Sequence, residues 1–189
     1  MREKLEKMES SLATKDWNKQ EKLGHPFHEV FHHVEVAEWA FECMKDLSDK
    51  LQVYSEEDER IAITYRKDKK GIHYQFGNWL LLGFYGGKDQ PVARIPIMVE
   101  KLKSLDSEVE YKVEYEFKTD PKVVSVSFSL ATLEQVGDEI LSLYDQTIDA
   151  ISQMLSNCKK STHRHKHNES LGKAVFDPTY RKQLFYLGL

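Results

Sequence analysis

The most specific chemical pattern in the chain is a five-residue string, His28-Glu29-Val30-Phe31-His32. It fits HExxH, in which two histidines four apart on a helix share a face and hold one Zn²⁺ between them. The glutamate then polarises a metal-bound water, so the string alone describes a zinc-dependent hydrolase with His28 and His32 as ligands and Glu29 as general base. A second set, His163, His165 and His167, alternates along a polar segment, a spacing that presents imidazoles to a transition metal such as zinc. Brought beside His28 and His32, those three would complete a coordination sphere.

The surrounding residues argue against placing chemistry there first. At about 100° per residue, His28 and His32 fall on the side of the helix opposite Phe27, Val30, Phe31 and Val34. Glu35 shares their face but lies too far along the axis to join His28 on one ion. No glycine and third histidine follow at the metzincin spacing. The first expectation is therefore no catalytic residue, no bound metal and no cofactor, with the zinc hydrolase as the alternative.

Glu114, Glu116 and Lys118 form another acid-rich pattern, and Glu116-Phe117-Lys118 resembles the ExK half of the PD-(D/E)xK nuclease motif. That resemblance implies two acids holding Mg²⁺ and a lysine that helps to activate water. The upstream Pro-Asp is missing, and an alternating charged face is also what a wet strand looks like. Phosphate-cradling and nucleophile-elbow patterns (GxxxxGK[ST], GxGxxG and GxSxG) are absent, and Cys43 sits in a helical pattern with no activating partner in sequence.

Cationic residues provide the broader signal. Arg66, Lys67, Lys69 and Lys70 crowd one turn, with Tyr74 close behind, and Lys159, Lys160, Arg164 and Lys166 crowd a second. Such clusters neutralise phosphates, and an aromatic beside them stacks on bases. Against a net charge of -4 they stand out as local features, because the whole chain has no global attraction for polyanions. The leading expectation is a non-enzymatic binding module engaging nucleic acid through these residues. A protein partner is the further alternative, with the apolar end piece from Phe185 to Leu189 as its contact.

The elements that must position these groups follow from period and punctuation. Residues 1–24 are polar and mixed in charge, an arm or frayed helix ending at Gly24. Pro26 opens a helix whose stripe of Phe27, Val30, Phe31, Val34, Ala37, Phe41, Met44 and Leu51 faces a core. Residues 60–128 alternate with period two and read as an antiparallel meander of about five strands. Pro96 marks the strand 92–99 as an edge or a bulge. Thr132 with Gln135 forms a capping box that begins a second long helix, and Asp177-Pro178 starts a short C-terminal one. The fold class is α+β: a sheet flanked by two long helices. The expected division is an arm at 1–24, a globular domain at 25–157, and a basic, histidine-rich loop with an amphipathic end at 158–189.

Composition bounds the rest. The 189 residues fit one domain; 40% are hydrophobic and 31% charged, a globular balance. Two separated cysteines suit a reducing compartment. The charged start lacks an apolar core of the signal-peptide kind, and the longest apolar run, Trp79 to Leu82, is too short to span a bilayer. A cytoplasmic location without membrane attachment is the expectation.

Overall fold

The computed structural model describes residues 30–31, 34–86 and 91–187. Helix α1, Val34–Lys50, buries Val34, Ala37, Phe41, Met44 and Ser48, a three-four spacing that keeps one face on the core. Each large side chain so buried contributes about 1.5–3 kcal/mol. Strands β1 (Ile61–Arg66), β2 (Gly71–Phe76), β3 (Trp79–Tyr85) and β4 (Val92–Met98) follow, then the single-turn helix α2, Val99–Leu102. The strands β5 (Lys112–Phe117) and β6 (Val123–Ser129) complete the sheet before the long helix α3, Leu130–Ser156.

The fold class is the expected α+β, but the sheet has six strands in the order β1-β2-β3-β4-β6-β5, so it is not a pure meander. Apolar content decides the swap. In β6, Val123, Val124, Val126 and Phe128 are all buried, as an interior strand requires. Strand β5 carries Lys112, Glu114 and Glu116 and lies at the edge, where charge discourages further pairing. Pro96, expected at an edge or a bulge, sits in an interior strand. The β3–β4 ladder covers only Val92, Ala93 and Arg94, so the missing N–H of Pro96 falls beyond it.

Helix α3 is capped three residues earlier than Thr132. Its N-cap is Ser129, whose Oγ accepts from the Thr132 backbone N–H at 3.0 Å. Val136 departs from helical geometry (φ -129°, ψ 24°) and bends the helix just before Gly137. Below the bend, Thr147 Oγ1 accepts from the Met98 N–H (3.0 Å) and donates to the Leu143 carbonyl (2.8 Å), fixing α3 to the end of β4. Tyr144 donates to the Leu81 carbonyl at 3.0 Å.

The C-terminal segment belongs to the same core. Helix α4, Glu169–Phe176, is capped by Asn168, and helix α5, Pro178–Lys182, by Asp177. Leu171, Ala174, Val175, Leu184 and Phe185 are buried in one cluster with α1 and β1. Residues 161–168 also close the free edge of β1: the Ile63 N–H donates to His167 Nδ1 (3.0 Å) and the Asn168 N–H to the Ile63 carbonyl (2.8 Å). Among the described residues no helix is long and apolar enough to cross a membrane.

Candidate functional site

The edge closure beside β1 puts both cationic clusters along the same strand. The three-residue turn Lys67–Lys69 leads into Lys70, whose backbone is left-handed (φ 46°), so the chain reverses with its lysine side chains exposed. The loop ending at Asn168 runs along β1 and places His163 within the field of Arg66. Partial burial first, then the positive charges of Lys166, His165 and Arg66, hold the His163 imidazole below its usual pKa. Residues about a hundred positions apart in sequence thus line one edge, a basic corner of the molecule that runs from the turn at the end of β1 to Lys159 and Lys160 beside Glu59 at its start.

Within that corner the cations differ in what they can offer. Arg66 is bound to Asp68 by two hydrogen bonds of 3.0 and 2.8 Å, and Lys160 pairs with Glu59 at 3.1 Å. The Arg164 guanidinium donates to the backbone carbonyls of Glu56 (2.7 Å) and Ile61 (3.3 Å), which makes it a structural clamp between loops. Lys67, Lys69, Lys70, Lys159 and Lys166 are exposed and enter no ion pair among the described residues.

Tyr74 corrects the expected contact set. It is 0% exposed, and its hydroxyl is hydrogen-bonded to Ser48 Oγ at 2.9 Å inside the core. A phenol so placed cannot stack on a base. Phe185 is likewise committed: it is buried against Phe41, with ring centroids 5.4 Å apart, rather than offered to a partner.

The histidine sets diverge. His28, Glu29 and His32 lie outside the described residues, whereas Val30 and Phe31 between them are fully buried. Among the described residues no group of three or more His, Cys, Asp and Glu side chains is arranged to hold a metal, so His163, His165 and His167 do not converge on one. His167 serves the fold instead. Burial lowers its pKa to about 4, keeping Nδ1 unprotonated to accept the Ile63 N–H.

The acid pattern on β5 is broken by a bulge between Val113 and Tyr115. Glu114 reaches Ser127 Oγ (3.0 Å) and Arg94 (3.2 Å), while Glu116 lies opposite Val124 on the other face of the sheet. The two carboxylates therefore cannot share one Mg²⁺ in the manner of the ExK arrangement.

The strand register also builds a polar row across the sheet that no sequence pattern announces. Thr64, His73, Gly83, Arg94, Ser127 and Lys112 stand side by side on successive neighbouring strands. The Tyr85 ring folds over Gly71 and Gly83, where an added Cβ would come within 2.7 and 3.1 Å of it, and Arg94 lies over the ring at 4.4 Å. Burial, with Arg66, Arg94 and Lys69 nearby, lowers the His73 pKa to about 4. His73 Nε2 and the Tyr85 hydroxyl are buried without hydrogen-bond partners. Glu114 pairs with both Arg94 and Lys112, which ties β4, β5 and β6 together across the row. A lone arginine between Ala93 and Ile95 was the only signal in sequence.

Comparison of the chain with protein-family models, curated proteins and solved structures gives no match.

Proposed function

We propose that the chain is a non-enzymatic binding module that engages nucleic acid through the basic corner beside β1. The observation that supports this reading is that the basic loop lies along β1, from Ser161 at Glu59 to Asn168 at Ile63, the strand that ends in the lysine-bearing turn. Lys67, Lys69 and Lys70 at the turn, with Lys166 and Lys159 farther along the β1 edge, are exposed and have their ammonium groups available for phosphates. Arg66 and Lys160 contribute at the margin, since each must first give up a carboxylate.

Phosphate contacts by ammonium groups release counterions, so affinity falls steeply with salt. With about five contacts on duplex, the logarithm of the association constant should fall with that of salt by a slope of roughly 4 to 5. Replacing Lys67, Lys69 and Lys70 together by glutamate should remove binding at moderate salt. The triple change to alanine should reduce the slope by roughly 3. Fluorescence anisotropy of labelled duplex and single-stranded oligonucleotides across a salt series measures both. No binding at low salt, or binding indifferent to salt and to the lysines, would overturn the reading.

A further inference from the structure

Between α1, α3 and the sheet lies a cavity of about 410 Å³ on the side away from the polar row. Natural cores hold few voids larger than a water molecule, and small-molecule sites typically occupy about 300–1,000 Å³, so this volume is on the scale of a ligand. Its floor is the helix-facing side of three strands, with Phe84, Ala93, Ile95 and Phe128. Trp39 and Leu141 wall it from the two helices, and the bend at Val136 lies between the lining residues Leu133 and Leu141. A continued straight helix would run differently over that floor.

The mouth has an electrostatic sign. Lys50 is the one cation among the lining residues, beside the carboxylates of Glu42, Asp46 and Asp145. Its ammonium is already held at 3.0 Å by Asp145 and at 3.0 Å by Asp149. Asp46 is exposed and enters no ion pair or hydrogen bond among the described residues. An occupant therefore meets apolar surface inside and net negative charge at the opening. Tyr144, a buried polar group in the wall, is spent on the Leu81 carbonyl, so the interior favours a body without hydrogen-bonding groups.

We propose that this cavity binds a small amphipathic cation: an alkyl or aryl body seated on the Phe84–Phe128 floor, with an ammonium group at Asp46. The site is independent of the basic corner, and its sign is opposite, so one molecule would carry separate places for a polyanion and for an organic cation. Polar head and apolar tail each make a separate requirement on the ligand, which makes the assignment testable by changing one at a time.

The test is calorimetric titration of the full chain with decylammonium and decanoate below their micellar concentrations and with decanol below its solubility limit. Decylammonium should bind one per chain, decanol more weakly, and decanoate at least about tenfold more weakly than the amine, as opposite and like charges at a partly exposed mouth require. Asp46→Lys, a surface change, should cancel or reverse the preference for the amine over the acid. Ala93→Phe should fill the floor and abolish binding; Leu141→Trp, at a half-exposed wall position, does the same if the first variant fails to fold. In a Cys158→Ser background, decylammonium should slow alkylation of Cys43, which lines the cavity. Failure of both decylammonium and decanol to bind would overturn the site. Equal affinity for amine and acid, or an Asp46→Lys variant with unchanged preference, would overturn the assignment of the cation. Nucleic-acid binding is measured on other residues, so either reading can fail alone.

Discussion

Thr147 shows how one side chain can hold two elements. Its hydroxyl is the acceptor for a strand-end N–H that has no partner in the ladder, and it is 0% exposed. Thr147→Val keeps the shape and removes the acceptor, leaving the Met98 N–H buried and unpaired, which costs about 1–3 kcal/mol. Thr147→Ser should retain most of that stability. Urea unfolding of the three proteins separates the hydroxyl from the methyl. His73 and His167 make a second residue-scale prediction. Both fall from the ordinary 6.5 to about 4 in the folded chain, so the unfolded chain takes up protons first as the pH drops. Their contribution is complete above pH 6.5 and is lost as the pH falls towards 4, by about 1.4 kcal/mol per pH unit for the buried His73 and by less for the half-buried His167, whose shift solvent screens. Urea midpoints measured from pH 7.5 to 4.5 should decline accordingly, and His73→Asn should flatten the decline. A midpoint that rises on acidification would contradict the buried neutral imidazoles.

At the scale of elements, the turns and edges do the positioning. Gly77 ends β2 with a left-handed backbone (φ 57°), and an added Cβ would meet Cys158 Sγ at 2.4 Å. Its carbonyl accepts from Ser161 Oγ at 3.0 Å, so this hairpin and the start of the basic loop are packed as one. Gly77→Ala should lower stability through both strain and overlap, by roughly 1–3 kcal/mol. Thermal unfolding measures the loss, and Cys158→Ala in the same chain should recover only the part due to overlap. The two sheet edges are treated differently. Strand β1 is closed by the loop to Asn168, whereas β5 has Tyr111, Val113 and Tyr115 exposed around it at 43, 48 and 40%. Its bulge and alternating charges are devices that disfavour pairing with another strand.

For the molecule as a whole, a single core joins the helices, the sheet and the C-terminal helices. Trp79 on β3 stacks on Phe117 of β5 with centroids 4.4 Å apart, although β4 and β6 lie between their strands. A flat sheet with strands about 4.8 Å apart would hold those rings about 14 Å from each other, so the sheet is curled. The two proposed sites occupy different parts of this body. The basic corner follows the closed β1 edge, and the cavity lies where α1 and α3 pass over β3, β4 and β6. Because the opposing charges sit in different places, a net charge of -4 describes neither surface.

What the sequence determined by itself was local. Period-two runs gave the strands, three-four spacing gave the face of α1, and Asp177-Pro178 gave the start of α5, because these signals depend on neighbours within a few residues. The basic residues were visible as types, and all six lysines among them are exposed. Partnership was decided by the tertiary structure. Tyr74 reads as an aromatic beside lysines, yet β2 turns it onto Ser48; Glu114 and Glu116 read as one face until a single bulge separates them. Neither the Thr64-to-Lys112 row nor the cavity under Trp39 has any contiguous signature. Both arise from the register of strands and from helices crossing a sheet, which are long-range pairings that no local pattern encodes.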